Sequence, residues 1–243
     1  MPLEQNPYSL PPERAINYLL EKLLVPSADW RSIRDELVNY AFFVTGVDSA
    51  RLLEDIYDEV LNFLEEDGSY EDFLERFTEI AARHGWEPQD GVSQRARIVA
   101  QTNLDTAQAA AKYREIAQPH MRQALPYCRV SPSFARNPRP HHRLLEGNYY
   151  RTSDILNTPE MCFPSGFGCR HSLTFLRRLP DGAAVSEIPR LADGTVGVVI
   201  DGKSYPIADP GWSQIPGLPQ IGNNTDALIR SVNPSFRPQK VVT

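Results

Sequence analysis

The sequence predicts an α+β fold: an N-terminal helical lobe, then one long helix, then a small mixed or antiparallel β-sheet domain with long loops. Three observations carry that expectation. Apolar residues recur at helical spacing through the first 90 positions. An uninterrupted helical pattern follows from Val92 to Gln118. Beyond Pro126 the period changes to short alternating runs set between Pro, Gly, Asn and His. The 243 residues divide accordingly into an acidic helical lobe (1–90), an α+β core (91–216) and an extended C-terminal tail (217–243).

In "PPERAINYLLEKLL", Pro12 sits where a first helical turn tolerates proline, and Ile16, Leu19, Leu20, Leu23 and Leu24 share one face. A second helix is expected from Asp29 to Val44, stopped by Gly46. Asp48 caps the third, whose Leu53, Ile56, Tyr57, Val60, Leu61 and Leu64 make an apolar stripe up to Gly68. Ser69 caps the fourth, with Phe73, Phe77 and Ile80 inward and Gly85 at its end. Short joints between four amphipathic helices predict a compact antiparallel lobe.

The long helix carries Val99, Thr102, Thr106, Ala109, Tyr113 and Ile116 at heptad-like spacing, and Pro119 ends it. The small side chains of "AQAAA" let another element approach closely, from the same chain or from a second copy. "YCRVS", "TVGVVI" and "RHSLTFLRRL" read as strands. The final "GNNTDALIRSVNPSFRPQKVVT" reads as a tail that orders against a partner.

Charge is unevenly placed. Residues 1–90 hold 7 Lys+Arg against 20 Asp+Glu, and residues 91–243 hold 18 against 11, so a net charge of −6 conceals halves of −13 and +7. The basic residues of the second half are mostly arginine, which pairs bidentately with phosphate or carboxylate. Arg136, Arg143, Arg177 and Arg178 are the candidate contacts to DNA phosphate. No apolar run approaches the roughly 18 residues of a membrane span, and "MPLEQNPYSL" lacks a secretory pattern. The expectation is a protein of a cytoplasm-like compartment that does not enter membranes. Three cysteines in a chain this long argue against a disulfide framework. GxxxxGK[ST], GxGxxG and HExxH are all missing, which leaves ATPase, Rossmann and zincin chemistry without a motif.

Residues 162–173, "CFPSGFGCRHSL", concentrate the chemistry. A zinc site would draw on His141, His142, Cys162, Cys169 and His171, although no CxxC is present and Cys169-x-His171 is tighter than usual ligand spacing. A Cys–His nucleophile would need a thiolate in an electropositive pocket with a base in reach. A purely structural corner would use Gly166 and Gly168 for turns or close approach, Pro164 to fix its φ, and Arg170 to bridge backbone carbonyls. His142 would then tie the "PRPHHRLLEG" loop to the strand after Cys169.

The landmarks "RARIVAQTNLDTAQAAAKYREI", "LPYCRV", "RPHHRLLEGNYY", "PSGFGCRHSL" and "ADPGWSQIPG" stand in an order that resembles the Mu F-like minor head proteins of tailed bacteriophages, the phage head morphogenesis family. The likeness covers roughly residues 10–216 and includes "AFFVTGVDSARLLEDI" and "FLERFTEIAARHGW". It places the family histidine on His142, the loop glycine on Gly147, and the corner on Gly166, Phe167, Cys169 and Arg170. The chain departs from the pattern where His171 replaces a second cysteine, Glu146 an aspartate, and the single Pro164 a proline pair. Arg139 stands where some relatives have the first cysteine of a CxxC, leaving His142, Cys169 and His171 as a three-ligand remnant of a metal site. The resemblance implies a non-enzymatic minor capsid component present in several copies per virion. Its partners would be the portal protein or other head proteins and, non-specifically, packaged DNA. The competing expectation is a Cys/His metal-binding protein or enzyme of nuclease-like or toxin-like activity.

Overall fold

The computed structural model describes residues 12–27, 40–66 and 69–218. Its architecture is α+β, as the sequence predicts. Helices α1 (Pro12–Leu20), α2 (Ala50–Glu65) and α3 (Tyr70–Arg83) pack against α4 (Val92–Ile116), which is followed by the short α5 (Pro119–Ala124). The second half holds β3 (Tyr127–Ser131), α6 (Pro140–Arg143), β4 (Tyr149–Arg151), α7 (Thr152–Leu156), a 3-10 turn at Pro159–Met161, β5 (Ser172–Leu176), β6 (Gly197–Ile200) and β7 (Lys203–Pro206).

Two departures concern the front of the chain. The first helix stops at Leu20, and Leu23–Leu24 form a strand, β1, paired in parallel with β2 at Ala41–Phe42. Helix was expected through both places. Apolar neighbours suit either structure, and pairing with a distant segment decided for strand. The rest of the expected second helix, residues 29–39, lies outside the described residues, as does the tail from residue 219.

The caps explain the next two helices. Ser49, not the expected Asp48, caps α2 by accepting the Leu52 N–H. Ser69 and Asp72 form a reciprocal capping box on α3. Leu53, Ile56, Val60, Phe73, Phe77 and Ile80 all fall in one buried cluster with Tyr18, Leu19, Phe42 and the α4 residues Ala96, Val99, Ala100, Ala107 and Ala110. The thin alanine seam of α4 is therefore intramolecular packing.

Further along α4, Tyr113 and Ile116 enter a second cluster, with Cys128, Val130, Tyr150, Phe163, Leu173 and Ile207. One helix thus supplies both cores. Strands β4, β3 and β5 form an antiparallel sheet in that order, with Cys128 opposite Tyr150 and Phe175, and Val130 opposite Leu173, on the inward face. Hairpin β6–β7 is separate. The Tyr113 hydroxyl donates to the Phe163 carbonyl at 2.9 Å, fixing the 162–171 segment against α4. Arg114 reaches the other way, donating to the Gly217 carbonyl and to Glu21 at 3.0 Å each. Among the described residues no helix is long and apolar enough to cross a membrane.

Candidate functional site

Three separate segments converge below the sheet. The first is α6, opened by Pro140 at its N-terminus and followed by a turn at Gly147. Gly147 has φ +84°, and its N–H donates to the Val130 carbonyl at 2.9 Å, which docks the loop on β3. The second is the corner at 162–171, with a cis Phe163–Pro164 bond and a turn closed by the Cys169 N–H on the Gly166 carbonyl. The third is the chain leaving β7, Ile207 to Trp212.

His142 projects from α6, and Cys169 and His171 from the corner; all three are buried, at 0%, 4% and 4% exposure. Their ligand atoms lie within 4.8 Å of one another. Cys169 Sγ is 3.6 Å from His142 Nδ1 and 3.8 Å from His171 Nδ1. The outer nitrogens are anchored: His142 Nε2 donates to the Ile207 carbonyl at 2.7 Å, and His171 Nε2 to the Glu146 carboxylate at 2.9 Å.

Those anchors dictate the protonation pattern. A carbonyl only accepts, so His142 carries its hydrogen on Nε2 and turns an Nδ1 lone pair toward the sulfur. Burial, the largest influence, pushes the His142 pKa down to about 3 despite the opposing Ile207 bond, and burial also lowers that of His171 against the pull of Glu146. Both imidazoles are neutral at pH 7. Burial raises the Cys169 thiol above its ordinary value, opposed by hydrogen bonds from Ser165 and His171. One S–H then faces two Nδ1 acceptors, and it can donate to only one of them.

A cation removes that mismatch. Two imidazole nitrogens and a thiolate are the donors that zinc-class metals take, and tetrahedral bonds of about 2.3 Å to sulfur and 2.0–2.1 Å to nitrogen put S and N about 3.6 Å apart. The observed separations match that edge. Ring nitrogens turned outward to a carbonyl and a carboxylate are the second layer such histidines usually have. Ser165 Oγ, on a fully buried residue, lies 3.9 Å from the same sulfur. The His142–Cys169–His171 group can hold a metal ion.

Around it the remaining sequence candidates take different parts. Arg139 donates to the Phe167 carbonyl at 3.1 Å and to Asp209 Oδ2 at 2.5 Å, so it does the bridging that was expected of Arg170. Among the described residues Arg170 bonds no backbone oxygen; it faces Asp105 of α4 at 3.5 Å. The reason is that α4 runs beneath the corner and offers a carboxylate there. Gly166 is required by close approach: a Cβ there would come within 2.7 Å of Asp209 Cγ and 2.8 Å of the Arg139 guanidinium. His141 and Cys162 stay out of the group. His141 stacks on Tyr205, and Cys162 Sγ faces the Ile155 carbonyl at 3.6 Å in the second core.

Ile207, Asp209, Ser165 and Asp105 were not singled out in the sequence. Asp209 stood in the quoted "ADPGW", and that aspartate beside a Pro-Gly turn was the available signal. Arg136, Arg143, Arg177 and Arg178 are all exposed: the first in the loop after β3, the second at the end of α6, and the last two just past β5.

No protein-family model, curated protein or solved structure matches the chain.

Proposed function

We propose that the chain is a structural minor head protein of a tailed bacteriophage, associated with the portal vertex, whose corner is locked by a zinc ion. The observation that carries the reading is the burial of His142, Cys169 and His171 at the meeting of three segments. A zinc held there by those three side chains would clamp α6, the corner and β5 together. A thiol that is 4% exposed and kept protonated by burial suits a clamp better than a nucleophile. The order of landmarks that resembles Mu F-like head proteins supplies the setting in which such a clamp would serve.

The acidic helices suit docking on a basic protein surface. Glu54 and Asp58 are exposed on α2, and Glu75 and Glu79 on α3. Burial, then the neighbouring Glu54 and Asp55, raises the Asp58 pKa, and a cationic partner set against α2 would favour its ionised form. Arg136, Arg143, Arg177 and Arg178 are left for packaged DNA, by salt-sensitive phosphate contact. Removing residues 1–90 is a poor probe of docking, because it strips the partners of Ala96, Val99 and Ala100 from α4. The combined change Glu54→Lys, Asp58→Lys, Glu75→Lys and Glu79→Lys leaves that core alone.

The test is the protein content of proheads and mature heads of the phage that encodes the chain, with retention on its purified portal rings. The chain is expected in the particles and on the rings, with the four-lysine variant lost from the rings. Absence from particles at every stage, or multiple-turnover catalysis that disappears with Cys169→Ser, would overturn the reading.

A further inference from the structure

A structural zinc takes four ligands, and His142, Cys169 and His171 supply three. Among the described residues no further His, Cys, Asp or Glu joins the group. The carboxylates around it are committed. Glu146 accepts from His171 Nε2 at 2.9 Å, on the outer side of that ring, and from the Ser133 N–H at 3.2 Å. Asp209 accepts from Arg139. A fourth donor has to come from another kind of side chain.

Ser165 stands beside the group. It is 0% exposed, and its carbonyl accepts the Asp209 N–H at 2.9 Å, which pins the corner to the chain leaving β7. The turn closed by the Cys169 N–H on the Gly166 carbonyl, at 3.1 Å, brings Cys169 back beside Ser165. Among the described residues the Ser165 hydroxyl has one hydrogen-bond contact, Cys169 Sγ at 3.9 Å, which is long even for sulfur. Buried hydroxyls ordinarily find a better partner than that. A cation bound to the same sulfur supplies one: tetrahedral bonds of about 2.3 Å to sulfur and about 2.1 Å to oxygen set S and O about 3.6 Å apart. A small turn of the Ser165 side chain closes the difference. We infer that Ser165 Oγ is the fourth ligand of the metal held by His142, Cys169 and His171, an inference that rests on the zinc-clamp reading above. On binding, the Cys169 thiol gives up its proton to solvent, and the hydroxyl gives a lone pair of its oxygen. Four protein ligands leave no vertex for water or substrate, which makes the site closed and structural.

Cobalt(II), which replaces zinc in such sites and absorbs light, is the probe. The metal-free full chain is titrated with it and read by visible and near-ultraviolet absorption, and zinc affinity is measured by competition with a chelator. The parent is expected to show the strong visible bands of a four-coordinate ion and the near-ultraviolet absorption of one thiolate. Ser165→Cys should put a second thiolate on the ion, about doubling the near-ultraviolet absorption per cobalt, and Ser165→Ala should weaken zinc binding by about tenfold or more. Both substitutions keep the side chain close to its present volume, so the corner retains its packing. A parent that takes up neither metal defeats the clamp and this inference with it. A parent that binds cobalt through its thiolate leaves the clamp standing. In that case a Ser165→Cys variant with the absorption of a single thiolate, or a Ser165→Ala variant that holds zinc as the parent does, overturns the assignment of Ser165 alone.

Discussion

His142 Nε2 and the carbonyl oxygen of Ile207 meet at 2.7 Å, joining α6 to a segment 65 positions later. That bond sets the tautomer of His142 and so turns Nδ1 toward Cys169. A contact made on one side of the ring prepares the other side for a metal.

Gly166 and Gly168 separate two reasons for glycine. A Cβ at Gly166 collides with Asp209 and Arg139, whereas Gly168 has φ +68° and open space around it. Gly166→Ala is expected to cost about 1–3 kcal/mol through overpacking, and Gly168→Ala about 1–2 kcal/mol from its left-handed backbone. Urea denaturation checks both. In an Asp209→Ala background, Gly166→Ala should cost much less than in the parent, whereas Gly168→Ala should cost the same in both.

Arg139→Ala should destabilise more than Arg170→Ala. The former removes the Arg139 hydrogen bonds to the Phe167 carbonyl and the Asp209 carboxylate, a loss of about 1.5–3 kcal/mol for charged hydrogen bonds. The latter removes an ion pair of 3.5 Å. Thermal melts of the two variants at pH 7 give the ranking, and the reverse order would refute this assignment of roles.

Asp105 makes stability depend on pH. Burial raises its pKa from 3.8 to about 6, against the lowering effect of Arg170. Between those values the native state holds a proton that the unfolded chain has released, so the contribution is favourable below about pH 4 and is lost as pH rises through about 6. Asp105→Asn should flatten the fall in stability over that window. Chemical denaturation of both proteins across it checks the slope, and parallel curves would contradict the account.

The parts of the fold legible in the sequence are those written in local chemistry. Ser69 with Asp72 announces α3, the apolar stripe of residues 53–64 announces α2, and alternation in "YCRVS" gives β3 over Tyr127–Ser131. The β1–β2 pair was not legible, since two-residue strands leave no period to read and their pairing is set by tertiary contact. At the site, His142, Cys169 and His171 were visible as metal-ligand types in the expected order. Their anchors were less so. Ile207 contributes only a backbone carbonyl, which no side chain announces, and the partner of Arg170 depends on where α4 passes.

The central claim is that His142, Cys169 and His171 form a metal clamp, and the zinc content of the purified full-length protein, after equilibration with zinc and desalting, tests it most directly. The account predicts about one zinc per chain, lost in Cys169→Ser, with a melting temperature that falls when the metal is chelated. A parent protein that retains no zinc, and melts at the same temperature with and without it, would contradict the claim.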